Sequence, residues 1–403
     1  MVEKNAILIT GGSMGNKGAQ AMVFVAVSEL AKRFPDKEII MLSYNEDDDA
    51  GGYQYRFTMQ KCTNETVMCA AGGIYRAMAK RWGSARIQKD ADIVSLLKRA
   101  YMIIDVSGYG LTSAWGIYAV MCFLATARCA KRYGIPLYLM PQSFGPLDFC
   151  GRKRAICNLV ARAEAGACLR HAKIIFAREK TGYAFLTNTL KLKNVRLAND
   201  MVLTAKPYAA SNVMENYKQE DALDRYRGCV ALIPNMRTFA HKDAAEIMEL
   251  YVEIIERILK NNKKVLLMTH SKEDAQIVTQ LKERFGDNDA VTACYKELLC
   301  FEFQQLVSTL DIVITSRYHS IVHAYKAATP CIVFGWADKY ADLVSLFRQE
   351  RFLFDVCDNI DLPEVLDALN ELLENRSAQS HVIQEIYSSI SKQTLFDEIC
   401  AAQ

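Results

Sequence analysis

The residues best equipped for chemistry lie at 311–324, Asp-Ile-Val-Ile-Thr-Ser-Arg-Tyr-His-Ser-Ile-Val-His-Ala. The β-branched run predicts a strand ending at Thr315, which leaves Ser316, Arg317 and His319 in the turn that opens the next helix. A guanidinium and an imidazole there join the free N–H groups of a helix start, a setting that favours phosphate or carboxylate. The plainer alternative is that Arg317 pairs with Asp311 or a neighbour while His319 caps or packs. His323, one turn on, is expected to face the sheet.

Other predicted strand ends repeat the theme. Ile233-Pro-Asn-Met-Arg237 brings Asn235 and Arg237 to a turn, and Gly335-Trp-Ala-Asp-Lys brings Lys339 to the same sheet edge. Arg237, Arg317 and Lys339 could thus converge on one triply charged ligand. The strand over 264–269 ends at His270-Ser271, a second imidazole that either works in the site or caps the next helix. Lys339 likewise reads as a ligand or as an ordinary surface lysine.

The first half carries a more neutral set. Gly11-Gly-Ser-Met-Gly-Asn-Lys-Gly-Ala-Gln is neither G-x-G-x-x-G nor a P-loop, since Gly18 follows Lys17 where Ser or Thr is required. Asn16, Lys17 and Gln20 suit a hydroxyl-rich ligand at a helix start. Asp105 and Ser107, Gln142 and Ser143, and Arg178 and Glu179 follow three further strands. Each could merely stabilise a turn; together on one edge they suggest a shared sugar site, where open α/β sheets bind ligands.

These residues need a scaffold of alternating strands and helices, and the periodicity supplies one. In the first half, strands are expected at 6–10, 38–44, 102–106, 137–140 and 174–177, with helices at 19–33, 114–133 and 151–169. A polar stretch at 206–227 breaks the pattern. Strands follow at 229–234, 264–269, 289–293, 312–315 and 331–334, with helices at 243–261, 272–285, 301–309 and 319–328. The expected fold is therefore α/β, with two Rossmann-like domains facing across a cleft: a domain at 1–205 carrying the neutral set, a linker at 206–227, and a domain at 228–375 carrying the cationic set. C-terminal helices at 363–374 and 378–400 close the chain, residues 376–403 crossing back to the first domain.

Composition excludes several classes. Thirteen cysteines are an odd number with no C-x-x-C pair or zinc-ligand spacing, so reduced, buried thiols are expected and no metal. Cys62/Cys69, Cys122/Cys129 and Cys150/Cys157 lie seven apart, a spacing that suits core packing on helices. A net charge of +3 implies no nucleic-acid partner. The apolar run 114–127 is shorter than the roughly 20 residues that cross a bilayer and reads as a core helix. The start at Met1 lacks the features of a secretory signal, so a cytoplasmic location is expected. The segment 76–99 holds Arg76, Lys80, Arg81, Arg86, Lys89, Lys98 and Arg99 against Asp90 and Asp92. It reads as a solvated helix face or as a contact with anionic headgroups at the inner face of the plasma membrane.

In order along the chain, Asn16-x-Gly18, Ser107-Gly-Tyr-Gly, Pro141-Gln-Ser-Phe-Gly-Pro, Ala177-Arg-Glu, Asn199-Asp200 and Ser316-Arg-Tyr-His-Ser, with Pro330 and Lys339 beyond, resemble the polysaccharide pyruvyl transferase family. The Ser-Arg-Tyr-His segment is the most specific. The resemblance implies a glycosyltransferase-B type fold and a transferase whose donor, phosphoenolpyruvate, is a co-substrate with no cofactor. It assigns donor contacts to Arg317 and His319. Ala19 and Gln20 stand where the family commonly has two acids, which puts an acidic catalyst in that loop in doubt.

Ketal formation needs a proton delivered to C3 of the enol and a base for two sugar hydroxyls, roles one imidazole can serve. His319 is the first candidate; Asp105, Glu179, Asp200 and His270 are alternatives for the base. The rival readings are a nucleotide-sugar glycosyltransferase of the same fold and a non-catalytic saccharide- or membrane-binding assembly protein.

Overall fold

Among the described residues, thirteen short strands and the helices between them build two parallel sheets. The computed structural model describes residues 3–44, 48, 52–87, 90–218, 221–390 and 395–402. The chain divides into two compact units: Met1–Met14 with Met22–Tyr217 and Lys392–Gln403, and Gly15–Ala21 with Lys218–Ser391.

In the first unit the strands are β1 (Ala6–Thr10), β2 (Glu38–Ser43), β3 (Thr58–Lys61), β4 (Ala100–Asp105), β5 (Leu137–Gln142), β6 (Ile174–Ala177) and β7 (Val195–Leu197), in the order β3-β2-β1-β4-β5-β6-β7. Every pairing is parallel. Helices on both faces make the central strands continuous apolar runs, and β1, Ala-Ile-Leu-Ile-Thr, is buried throughout. The helices are α1 (Lys17–Arg33), α2 (Asn64–Ala71), α3 (Gly73–Gly83), α4 (Asp90–Arg99), α5 (Gly116–Tyr133), α6 (Arg154–Leu169) and the one-turn α7 (Lys180–Ala184) and α8 (Met201–Thr204). Residues of α2 to α6 share one core with alternate residues of the strands. The stretch Ser113–Tyr133, which ends in α5, is long and apolar enough by length and composition to cross a membrane. Val120, Met121, Leu124, Ala125 and Ala130 are instead sealed in the core.

The second unit holds β8 (Val230–Ile233), β9 (Val265–Met268), β10 (Val291–Cys294), β11 (Ile312–Thr315), β12 (Cys331–Gly335) and β13 (Leu353–Asp355), ordered β10-β9-β8-β11-β12-β13 and also parallel. Its helices are α9 (Ala244–Lys260), α10 (Ala275–Phe285), α11 (Cys300–Val307), α12 (Tyr318–Lys326), α13 (Asp338–Leu346) and α14 (Leu362–Ser389); α15 (Leu395–Ala401) belongs to the first unit. Helix α9 shows the local logic. Asp243 caps it by accepting from the Ala245 and Glu246 N–H groups at 2.8 and 3.3 Å. Ile247, Leu250, Tyr251, Ile254, Ile255 and Ile258 then recur at helical spacing on its buried stripe. Each large aliphatic so buried contributes roughly 1.5–3 kcal/mol.

Several expectations shift. The sequence suggests a solvated helix face within 76–99, and the structure adds β3 and α2 before it; Gly72 and Gly73, both at positive φ, separate α2 from α3. Lys89 lies outside the described residues. The helices expected at 363–374 and 378–400 are one run to Ser389 with a non-helical residue at Asn375, followed by α15. Of the seven-apart cysteine pairs only Cys122 and Cys129 share a helix; Cys150 precedes α6 and is exposed.

Candidate functional site

The C-terminal ends of β8, β9, β11 and β12 bring together the residues that could bind an anion. After β8, Asn235 caps a short turn by accepting from the Arg237 N–H at 3.0 Å, and its amide donates to the Ser316 carbonyl at 2.9 Å. The Tyr340 hydroxyl donates to that carbonyl at 2.8 Å. Arg317 follows β11, its N–H held by Thr315 Oγ1 at 3.0 Å. The turn is therefore pinned from three directions before any ligand is considered.

Arg317 does not stand as an open cation. Its Nε donates to Asp274 Oδ2 at 3.0 Å, and Nη2 reaches Asp274 Oδ1 and, at 2.7 Å, Glu273 Oε1. Asp274 is fully buried and also accepts from the Met236 and Ser271 N–H groups at 3.0 and 3.2 Å. Arg237 Nη2 meets the other Glu273 oxygen at 3.3 Å, so one carboxylate bridges both guanidinium groups. Two arginines thus face two carboxylates, and the three converging cations expected from the sequence are corrected to a neutralised pair plus Lys339. Burial pushes the Glu273 carboxyl up, but hydrogen bonds and charge from Arg317 and Arg237 outweigh it and hold it below its usual range. For Asp274 burial wins, and its carboxyl sits above the usual range despite Arg317. Lys339 Nζ lies 4.4, 5.2 and 5.9 Å from the ring centres of Trp336, Tyr340 and Tyr318, a cation–π setting that holds the ammonium at the edge of β12.

Gly15–Ala21, the end of the glycine-rich turn and the first residues of α1, belong to this same unit, whereas the sequence sets them beside the first-half residues. Asn16 bridges to Ser271 in antiparallel pairing, and the Lys17 N–H donates to the His270 carbonyl at 3.2 Å. Asn16 Oδ1 caps α1 through the Gly18 and Ala19 N–H groups, and Gln20 Oε1 accepts from the Cys300 N–H at 2.6 Å. Gly18 lies against the His319 imidazole so closely that a Cβ would come 2.3 Å from its Cγ and Nδ1. Lys17 is buried, which lowers its pKa, partly offset by the charge of Glu297. A lysine, a histidine and a helix start therefore share the neighbourhood of the Ser316–His319 turn.

His270 has another task. Its Nε2 faces the Gly18 N–H at 3.1 Å, and a backbone N–H can only donate, so Nε2 is the bare nitrogen. The proton sits on Nδ1, 2.9 Å from Ser320 Oγ. Burial, then the charge of Arg317, holds its pKa well below the ordinary imidazole value. With both nitrogens engaged and no charge to give, His270 clamps the Gly18 loop to α12; the proton-carrying role expected of it is corrected accordingly. His323 Nδ1 pairs with Gln304 Oε1 at 2.8 Å.

With this geometry in view, the sequence matches the family described as polysaccharide pyruvyl transferase over residues 16–338. The chain belongs to that family. Comparison with curated proteins gave no match. Among solved structures, the fold is shared with UDP-GlcNAc 2-epimerase from Neisseria meningitidis bound to UDP-GlcNAc, at 12% identity and TM-score 0.60, covering 98% of this chain and 99% of that one. S. aureus MnaA with UDP is similar at 13% identity and TM-score 0.59, covering 94% and 90%. Medicago truncatula UGT71G1 complexed with UDP-glucose gives 11% identity and TM-score 0.55, covering 95% and 93%. These likenesses show a glycosyltransferase-B type fold with two Rossmann-like domains.

The remaining predicted residues gather at the C-terminal edge of the first sheet, where most of their polar groups engage one another, although the buried Gln142 Oε1 has no hydrogen-bond partner among the described residues. Asp105, at the end of β4, accepts from Thr10 Oγ1 at 2.8 Å, Gln142 Nε2 at 3.0 Å, and the Ser107 N–H and Oγ at 3.2 and 3.0 Å. One carboxylate so ties the ends of β1, β4 and β5, and burial raises its pKa against those bonds. Arg178 is buried between Glu179 Oε1 and Asp200 Oδ2, both at 2.8 Å, and also donates to Ser143 Oγ at 2.7 Å. Ser143 donates to Glu179 at 2.8 Å, and Asp200 caps α8. Asp105, Arg178 and Glu179, expected to contact an acceptor, are each engaged with these neighbours and so frame the sheet edge.

Glu273 and Asp274 were not anticipated. A signal was present, since Ser271-Lys-Glu-Asp274 forms a capping box that announces a helix start beside His270. That Arg317 would be its partner required the fold.

Proposed function

We propose that this pyruvyl transferase moves the enolpyruvyl unit of phosphoenolpyruvate onto a sugar diol, closing a pyruvate ketal during capsule or exopolysaccharide synthesis. The observation that carries this reading is the Ser316–His319 turn: a buried arginine, a histidine and a helix start, with Arg237, Lys339 and Lys17 in the same unit. A donor bearing both carboxylate and phosphate matches two separate cationic points better than one cluster would. The Glu273 bridge between Arg317 and Arg237 marks where a ligand carboxylate would compete, while Lys339 and the turn's N–H groups suit the phosphate.

In the reaction C3 gains a proton and becomes a methyl group while one sugar hydroxyl attacks C2 and loses its own proton. The second hydroxyl then displaces phosphate, its proton leaving with the phosphate. In this reading His319 hands over the C3 proton, Arg317 and Arg237 stabilise the anionic donor, and no resident cofactor takes part. A sugar attached to a lipid diphosphate, met at the cytoplasmic face of the membrane, fits as acceptor. The runner-up is a nucleotide-sugar glycosyltransferase, favoured by the structural relatives that hold UDP or UDP-sugars.

The test is phosphate release from phosphoenolpyruvate over a panel of galactose-, mannose- and N-acetylhexosamine-containing acceptors, comparing wild type with His319→Ala. Acceptor-dependent release with gain of a pyruvyl unit on the sugar, reduced on the order of 10²–10⁴-fold in the variant, is expected. Turnover of a nucleotide sugar with none of phosphoenolpyruvate would overturn the proposal.

A further inference from the structure

The outer helical layer of the first unit carries an apolar and basic surface that the catalytic reading does not use. Helix α3 buries Tyr75 and Ala79 and turns Arg76, Lys80 and Arg81 outward, with Ile74 44% and Trp82 47% exposed. Helix α6 buries Ala161, Ala165, Cys168 and Leu169 and leaves Ile156 66% and Leu159 71% exposed, the two most exposed large aliphatics among the described residues. The Tyr75 hydroxyl donates to Glu164 at 2.9 Å and so joins the two helices.

Along α6, Ile156, Leu159 and Ala163 fall at i, i+3 and i+7 on the outward stripe. Beside them runs a groove of about 540 Å³ lined by Leu159, Arg162, Arg170 and Lys191, with no acid on its walls. Arg152, Lys153 and Arg154 stand exposed at the head of the helix. Residues 73–83 and 150–169, the two helices with the head of α6, hold seven basic side chains against Glu164 alone, so the remainder of a chain of net charge +3 is net acidic, at −3. Charge is therefore segregated onto the face that also exposes aliphatic and tryptophan side chains.

We infer that the outward faces of α3 and α6 dock this protein on an anionic lipid bilayer, with Ile156, Leu159 and Trp82 entering the headgroup boundary and the arginines and lysines meeting lipid phosphates. Charge complementarity selects this occupant: bare aliphatics rimmed by cations of one sign match a negatively charged apolar interface. The inference deepens the reading of a lipid-linked acceptor, and its test uses no substrate, so each can fail alone.

Full-length protein is sedimented with vesicles of phosphatidylcholine alone or mixed with phosphatidylglycerol. Binding to the mixed vesicles only, weakened by salt, is expected. Arg152→Gln with Arg154→Gln lowers the partition about 25-fold, at about five-fold per charge, and Leu159→Asp abolishes it while thermal unfolding is unchanged. The inference is overturned if folded wild type ignores phosphatidylglycerol vesicles or if both variants bind like wild type. It is equally overturned if the wild type ignores lipid and self-associates in a way that Leu159→Asp abolishes, which would make the face an interface between copies.

Discussion

Replacing Arg317 with Met should damage the fold before it says anything about catalysis. Asp274 is fully buried and takes two of its four hydrogen bonds from that guanidinium. Removing one partner of a buried pair costs about 3–5 kcal/mol because the other charge stays behind. An upper bound follows from the carboxyl's escape route, which is to take a proton. Neutralising an aspartate of ordinary pKa costs about 4 kcal/mol at pH 7 and about 1.5 kcal/mol at pH 5. The loss in Arg317→Met should therefore shrink by that difference on acidification, and Arg317→Met combined with Asp274→Asn should cost less than Arg317→Met alone. Urea unfolding followed by Trp336, the second unit's one tryptophan, in a Trp82→Phe, Trp115→Phe background reads this unit directly. A loss below about 1 kcal/mol that does not vary with pH would refute the view that Arg317 holds Asp274. Only a folded double variant without activity would assign Arg317 to the donor.

Two further outcomes are expected. His270 is neutral in the fold with its pKa depressed, so the unfolded chain binds the extra proton as pH falls below about 6.5; stability drops between pH 8 and pH 5 from this group, by at most about 2 kcal/mol, and His270→Asn should remove that part of the slope in parallel urea titrations. Gly18→Ala would drive a methyl group into the His319 ring and against its Cβ, so turnover should fall on the order of 100-fold and the unfolding midpoint should fall with it; unchanged turnover would mean that the place of His319 beside Gly18 is immaterial.

Strand ends were legible because β-branched runs close on residues that cannot continue them: Thr315 before Ser316-Arg317, and Ala177 before Arg178-Glu179. The edge strands β3, β7 and β13 were not, since Thr-Met-Gln-Lys, Val-Arg-Leu and Leu-Phe-Asp are three or four residues long and mostly half-exposed, with no period to read. The loop at 15–21 was legible as a turn before a helix, and its membership of the second unit was not. Local sequence specifies the Asn16 cap, whereas the partners of the loop, His270, Ser271 and Cys300, lie more than 250 residues away.

The two sheet edges show why polar residues after strands do not by themselves declare a binding site. Asp105, Arg178, Glu179 and Asp200 looked from the sequence much like Asn235, Arg237, Arg317 and Lys339, each set standing just past strand ends. In the first, every charged group meets an opposite charge or several donors deep in the protein, and removal of any one would be felt chiefly as instability. In the second, Arg237 is half-exposed, Glu273 is shared between two cations and partly open to solvent, and Lys339 rests on aromatic rings. An anion can compete there for contacts already made, at the cost of exchanging one carboxylate for another. If the second edge holds the proposed donor, that exchangeability is what sets it apart from the first, and it arises from the tertiary position of Glu273, which no spacing in the sequence encodes.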